Sequence, residues 1–303
     1  MKQILKDFLK CDMIQMKEGV NITIREAINK ATIQLKMEKI EMPKQKARLL
    51  MQFILKKDRQ YLIVYDEKKL TQEQQIQYFK LIEHIKAGVP LQHITHQQEF
   101  MKMNFYVDDN VLIPRPDTEV LVEEVINIAK KIRARKILDL CTGSGAIAVS
   151  LAKYIENSEI TAVDISGEAL RIAEKNAKIN GVEEKIVFLQ SDLFNQIPKE
   201  KYDIIVSNPP YIKKTVIPTL EKEVQREPHI ALDGGDDGLK FYRKIIKQAN
   251  EFLKYHGYLC LEIGYDQKRD VIKLIEKEEK YIDTYSKKDL YENDRIVITK
   301  VGD

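Results

Sequence analysis

The chain has 303 residues, 44% of them hydrophobic and 32% charged, with a formal net charge of +3; this is a soluble globular composition, long enough for two domains, and too nearly neutral for a dedicated nucleic-acid binder. No run approaches the roughly 18 apolar residues of a membrane span, and the charged start MKQILKDFLKCDMIQ lacks the apolar core of a signal peptide, so a cytoplasmic location and no membrane partner are expected. Cys11, Cys141 and Cys260 are too far apart for a disulfide framework or a zinc ligand set, and the five histidines show no metal pattern.

In chain order, residues 1–19 offer an amphipathic helix through Leu5, Phe8, Leu9 and Met13. TIREAINKATIQLKM places Ile24, Ala27, Ile28, Ala31 and Leu35 at helical spacing, with Thr23 as N-cap and Glu26 three residues on. PKQKARLLMQFILKK opens on Pro43, favoured in a first helical turn. A third helix runs from Thr71 to Gly88. Residues 1–87 therefore predict a helical N-terminal domain. It carries 18 Lys and Arg against 11 Asp and Glu, or +7, which leaves −4 for the remainder. Such a domain faces an acidic or nucleic-acid-associated partner, or is simply a lysine-rich solvated surface.

Residues 88–118 mix β-rich pieces, an Asp-Asp-Asn turn and prolines, and predict a linker with a small β-hairpin. From 119 to 303 the pattern alternates: helix TEVLVEEVINIAKKI, strand RKILDL, a glycine loop and helix, strand EITAVDI, helix GEALRIAEKNAKING, strands KIVFLQ and KYDIIVSN, helix GLKFYRKIIKQANEFL, strand GYLCLEI. This predicts an α/β, Rossmann-like doubly wound parallel sheet, and YIDTYSKKDLYENDRIVITK adds two strands as an antiparallel edge hairpin.

LDLCTGSGAIA follows a strand and opens a helix, so Gly143, Gly145 and Ala148 match the dinucleotide fingerprint. Asp164 ends the next strand, where a carboxylate accepts both ribose hydroxyls of an adenosine. NAD is one candidate, and S-adenosylmethionine fits better. Asp139, just before the loop, suits the positive end of a zwitterionic amino acid and would repel a pyrophosphate. Asp192 and Leu193, after the third strand, are placed to receive an adenine amino group and to flank the ring.

SNPPYI ends the fourth strand at the carboxyl edge where open α/β sheets bind ligands. A planar NH2 group on an amide or an aromatic base has a delocalised, poorly nucleophilic lone pair. Two acceptors out of its plane favour pyramidal nitrogen. The Asn208 side-chain oxygen is one, and the Pro209 carbonyl, directed by the rigid corner, is the other. Tyr211 offers a flat face to the acceptor group. The nitrogen then attacks a sulfonium methyl in line, without a low-pKa base.

These segments together resemble the release-factor glutamine N5-methyltransferases, the PrmC/HemK family, over nearly the whole chain. DLCTGSGAIA, AVDIS, QSDLF and IVSNPPYI resemble its cofactor and substrate motifs, and GVPLQHI, FYVDDNVLIPRPDTE, EPHIALDGGDDGL and KKDLYENDR are more specific. RPDTE, Arg115 to Glu119, separates the family from the ribosomal-protein glutamine methyltransferases. The resemblance implies a seven-stranded class I methyltransferase domain behind a helical partner-recognition domain and a hairpin linker. It implies S-adenosylmethionine as donor and S-adenosylhomocysteine as product, no metal, and as substrate the glutamine of the Gly-Gly-Gln loop of peptide chain release factors. By the same likeness Cys141, Thr142, Gly143, Ser144 and Gly145 bind cofactor beside Asp139, Asp164, Asp192, Leu193 and Asn208. Substrate falls to Asn208, Pro209, Pro210, Tyr211 and Arg115. Cys141 stands where glycine is usual and Leu193 where an aromatic is common. The alternatives are an amino-methyltransferase of adenine or guanine in nucleic acid and a ribosomal-protein glutamine methyltransferase; the former needs a flipped base and a basic groove, and no such groove is evident.

Overall fold

The computed structural model describes residues 21–302, so the helix expected within 1–19 lies outside the described residues. The chain divides into two compact units between Thr95 and His96.

The first unit is helical: α1 Ile24–Met37, α2 Pro43–Leu55, α3 Arg59–Val64, α4 Gln72–Lys86 and α5 Leu91–Thr95. Thr23, expected as an N-cap, and Thr71, where a helix was expected to start, both form full capping boxes. Thr23 Oγ1 accepts from Glu26 N at 3.2 Å while Glu26 Oε2 accepts from Thr23 N at 2.8 Å. Thr71 and Gln74 repeat the exchange at 3.2 and 2.9 Å. Leu35, Leu50, Met51, Tyr78 and Ile82 fill the core, and the Tyr78 hydroxyl donates to Ala47 O at 2.9 Å. The short α3 and α5 span fewer than two helical turns, too little for an apolar repeat to show, and were not expected.

The second unit begins with the hairpin β1 Gln98–Phe100 and β2 Met103–Phe105. Its turn residues Met101 and Lys102 both have positive φ, 49° and 59°, as a two-residue hairpin turn requires. The hairpin's Phe100, Met103 and Phe105 belong to the core of this unit, and Glu119 Oε1 accepts Met101 N at 2.6 Å. The segment expected as a linker is thus divided: α5 lies in the first unit and the hairpin in the second.

Then follow α6 Pro116–Ile132, β3 Lys136–Leu140, α7 Ala146–Tyr154, β4 Glu159–Asp164, α8 Gly167–Asn180, β5 Ile186–Gln190, β6 Tyr202–Ser207, α9 His229–Leu232, α10 Lys240–Phe252, β7 Leu253–Glu262, α11 Lys268–Glu276, β8 Tyr281–Lys288 and β9 Asp294–Val301. The seven-stranded sheet has the order β5-β4-β3-β6-β7-β9-β8. The first five strands are parallel, and β9 runs antiparallel to both β7 and β8, the hairpin expected at the C-terminus. Alternate strand residues serve the two faces, as the period of two demands. Ile137, Ile160, Ile204 and Val206 pack with α6, α7 and α8. Leu138, Leu140, Ile205, Leu259 and Leu261 pack with α10 and α11. The chain runs outward from β3 to β5 and returns to β6, so the crossover direction reverses between β3 and β6. In open α/β sheets ligands bind at the carboxyl ends of such strands.

Phe105→Ala tests the hairpin's place in the core. Phe105 is fully buried and packs edge-on against Phe100, ring centroids 6.0 Å apart. Its truncation should cost the second unit about 3–5 kcal/mol, seen by calorimetry as a lowered melting transition. An unchanged transition would show that the hairpin is a peripheral linker.

Candidate active site

Leu140, the last residue of β3, pairs with Val163 of β4 and Ser207 of β6. The three strand ends therefore stand side by side, each entering a functional loop. Ser207 Oγ donates to Leu140 O at 2.8 Å and ties the two central ends together.

The glycine loop turns through positive φ at Cys141 (60°), Gly143 (54°) and Gly145 (79°). A Cβ on Gly145 would stand 2.9 Å from Ala173 Cβ of α8, so glycine is needed there for space as well as conformation. Cys141 adopts the same left-handed backbone with a side chain attached. Asp164 latches the loop from β4: its Oδ2 accepts Gly143 N at 2.8 Å and its Oδ1 accepts Ser166 N at 2.9 Å. Burial raises its pKa, and the backbone donors, Ser166 N ahead of Gly143 N, oppose that.

Asp139 is fully buried beneath the loop. Its Oδ2 accepts the Thr142 hydroxyl at 2.6 Å, and its Oδ1 has no partner among the described residues. Burial pushes its carboxyl up to about 7, against the pull of the Thr142 hydroxyl.

The proline corner closes the other side. Asn208 is half-buried at the end of β6, and its Nδ2 donates to Thr118 Oγ1 in the first turn of α6 at 3.3 Å. Pro209 and Pro210 are buried. Tyr211 is held by its backbone: Gln267 Nε2 donates to its carbonyl at 2.9 Å, and a Cβ on Gly234 would come within 2.7 Å of its Cα. Its hydroxyl donates to Glu262 Oε1 at 3.3 Å, and burial with the Glu262 charge raises its pKa.

A cavity of about 230 Å³ lies between the loop and the corner. Cys141, Gly143, Asp164, Asp192, Leu193 and Asn208, all marked by the sequence, line it together with Pro210. Ile165, Ile230 and Phe241 add apolar wall, and Lys244 Nζ stands 4.0 Å from Asp192. Of the remaining expected residues, Asp139, Thr142, Ser144, Gly145, Pro209 and Tyr211 stand outside the lining. Arg115 also stands outside it, ion-paired to the buried Glu227, whose Oε2 accepts Ile113 N at 2.9 Å.

Sequence reasoning missed the groups that hold this machinery in place. Thr118 anchors Asn208. Arg295 lies between Asp117 (3.1 Å) and the buried Asp289 (2.9 Å). Glu262 is buried at the end of β7, with its pKa pushed up to about 7 by burial. Thr118 and Arg295 belong to stretches quoted for their family likeness and Glu262 to the strand GYLCLEI, and no local spacing connects them. Among the described residues no cluster of His, Cys, Asp and Glu is arranged to hold a metal.

Two family descriptions match the chain: "Methyltransferase small domain" over residues 116–292 and "PrmC N-terminal domain" over 26–95. A release factor glutamine methyltransferase of Clostridium acetobutylicum is 39% identical over 92% of this chain and 99% of its own length. One from Shewanella oneidensis is 38% identical over 91% and 96%. A methyltransferase structure from Pyrococcus furiosus superposes with a TM-score of 0.51 at 16% identity, covering 74% of this chain and 99% of that one, and shares the fold.

Asp139 makes a pH-dependent prediction. With its folded carboxyl near 7 and its unfolded one near the ordinary ~3.9, the folded state binds the extra proton between these values. Stability from this group is full below about 4 and is lost as pH rises through about 7. Asp139→Asn removes the loss. The variant should gain on the wild type between pH 5 and pH 8 by on the order of 1–3 kcal/mol in denaturant unfolding. A pH-independent difference would contradict the buried-acid assignment.

Proposed function

The chain belongs to the release factor glutamine methyltransferase family, and on that premise we propose how its site divides the work. The enzyme transfers a methyl group to the side-chain amide nitrogen of glutamine in the Gly-Gly-Gln motif of peptide chain release factors. S-adenosylmethionine supplies the methyl as a sulfonium electrophile.

The residues present fit that donor. At one wall of the cavity the loop presents Gly143, which has no side chain, beside Cys141. Asp164 keeps acceptor lone pairs beyond the two it spends on Gly143 and Ser166, and these receive the ribose hydroxyls. Asp192 takes the adenine amino group and Leu193 packs on the ring. The orphaned Asp139 Oδ1 is the acceptor left for the ammonium end. One observation carries the reading: Asn208 and Asp164 line a single cavity from the ends of β6 and β4, the two strands that flank β3.

Asn208 Oδ1 and the Pro209 carbonyl accept the substrate N–H groups out of the amide plane. Their hold strengthens as the nitrogen pyramidalises and its lone pair turns to the methyl, so the contact favours the transition state over the ground state. Tyr211 presents its ring while its hydroxyl stays on Glu262. The methylated nitrogen is acidic and gives up its proton without a dedicated base. Arg115, set by Glu227, borders the substrate side.

The first unit, with its basic excess, recognises the release factor. Deleting residues 1–95 should leave cofactor affinity unchanged and lower turnover on intact release factor; equal turnover would contradict this role. No described helix is long and apolar enough to cross a membrane, and we place the enzyme in the cytoplasm with its substrate.

Asp164→Ala should weaken cofactor binding at least tenfold by calorimetry, because charge-assisted contacts are worth ~1.5–3 kcal/mol each. Asn208→Ala should keep cofactor affinity and lose roughly a hundred- to thousandfold in kcat, ~2.7–4 kcal/mol. Calorimetry reads the cofactor affinities and mass spectrometry of release factor reads the turnover. Wild-type kcat in a folded Asn208→Ala protein would reduce the proline corner to a structural turn.

A further inference from the structure

An Asn side chain can sit in its socket two ways round, and only one leaves Oδ1 for the substrate amide. Here Nδ2 is the end that is anchored, on Thr118 Oγ1 at 3.3 Å. A hydroxyl alone does not choose between the two, since it donates as readily as it accepts. The choice comes from behind it. Glu262 is buried against both Thr118 and Tyr211. The Tyr211 hydroxyl donates to Oε1 at 3.3 Å, Oε2 is a buried acceptor with no hydrogen-bond partner among the described residues, and the neighbouring Thr118 hydroxyl pulls the carboxyl's pKa down. An ionised carboxylate only accepts. It therefore draws the Thr118 proton to itself and turns the Thr118 lone pair toward Asn208 Nδ2.

We propose that Thr118, oriented by Glu262, is a positioning residue that fixes the Asn208 amide with Oδ1 toward the substrate nitrogen. The inference rests on the methyl-transfer reading above. With Glu262 ionised it gives the direction Asn208 Nδ2 to Thr118 to Glu262, with Tyr211 donating from the opposite side. All four groups come from different elements: α6, the end of β6, the corner beyond it, and the end of β7.

The chain has a pH sense. Burial pushes the Glu262 carboxyl up to about 7. The Thr118 hydroxyl, Arg295 and the Tyr211 hydroxyl pull it down, and Asp117 pushes it up. Asp289 shares Arg295, while Arg115 acts on Tyr211 and the Tyr242 hydroxyl donates to the Glu262 carbonyl at 2.9 Å. Protonated, Glu262 becomes a donor. Thr118 is then free to donate to Asn208, and the amide turns Oδ1 away from the substrate. The ionised form is the productive one, so kcat should fall as pH drops through about 7.

The test uses full-length protein, intact release factor and saturating S-adenosylmethionine in single-turnover methylation, with cofactor Kd and Tm measured alongside. Thr118→Val should lower kcat roughly tenfold to a hundredfold, the penalty of a misdirected reacting contact. KM for release factor should change less than kcat, and cofactor Kd should hold within about twofold, since the anchor sits on the substrate side of the corner. Thr118→Ser, which keeps the hydroxyl, should restore most of the rate. Glu262→Gln, able both to donate and to accept, should flatten the rise of kcat between pH 6 and pH 8. If the wild type leaves release factor unmethylated, the underlying reading falls. If the wild type methylates and Thr118→Val matches its kcat, the positioning role alone falls. Should Thr118→Val not fold, the Glu262→Gln profile decides, and a wild-type pH profile there overturns the proposal.

Discussion

The parallel pairing of β3 with β6, which sets Leu140 beside Ser207, is the constraint on which the rest of the site depends. It puts the entries of the cofactor loop and of the proline corner on neighbouring strands, one ladder spacing of about 4.8 Å apart. The Ser207 hydroxyl on Leu140 O locks the two ends at that point. A slip of one residue would send Asp139 or Asn208 to the opposite face. Donor and acceptor chemistry can share one small cavity because the register leaves no freedom between their supports.

Around this junction the chain buries charge that serves position more than stability. Arg295 bridges Asp117 of α6 and Asp289 of the turn between β8 and β9. Arg115 and Ile113 N share Glu227. Buried ion pairs seldom improve on apolar packing for stability alone. Here they tie the start of α6, which carries Thr118, to the segment after the proline corner and to the C-terminal hairpin. Asp139 and Glu262 each keep an unpartnered oxygen and a carboxyl near 7. Such raised acids are costly in a resting protein and concentrate where function needs them.

What the sequence disclosed follows from range. The capping boxes at Thr23 and Thr71, the turn at Gly145 and the C-terminal hairpin are settled by neighbours within a few residues, and all were legible. So was the cavity lining by Asp164, Leu193 and Asn208, because strand ends in an alternating α/β pattern fall on one edge. Thr118 and Asn208 are 90 residues apart, Arg115 and Glu227 112, and no periodicity links them. Their only signal was a family likeness in RPDTE and EPHIAL that named the stretches without saying which atoms meet. Helix α11 was overlooked although Val271, Ile272 and Ile275 give it an apolar stripe, because the lysines and glutamates around them masked it. Tyr211 shows a further limit: a residue read as an open aromatic face has its hydroxyl bound to a buried carboxylate and its backbone clasped by glycines 23 and 27 positions on.

The central claim is that loop and corner hold methyl donor and glutamine amide in one cavity with Asn208 facing the reacting nitrogen. A crystal structure of the protein with S-adenosylhomocysteine and a glutamine-containing Gly-Gly-Gln peptide tests it most directly. The account predicts the ribose hydroxyls on Asp164, the amide nitrogen within hydrogen-bond distance of Asn208 Oδ1 and the Pro209 carbonyl, and Asn208 Nδ2 still on Thr118. A ribose away from Asp164, or an Asn208 amide with its oxygen turned to Thr118 in that complex, would contradict it.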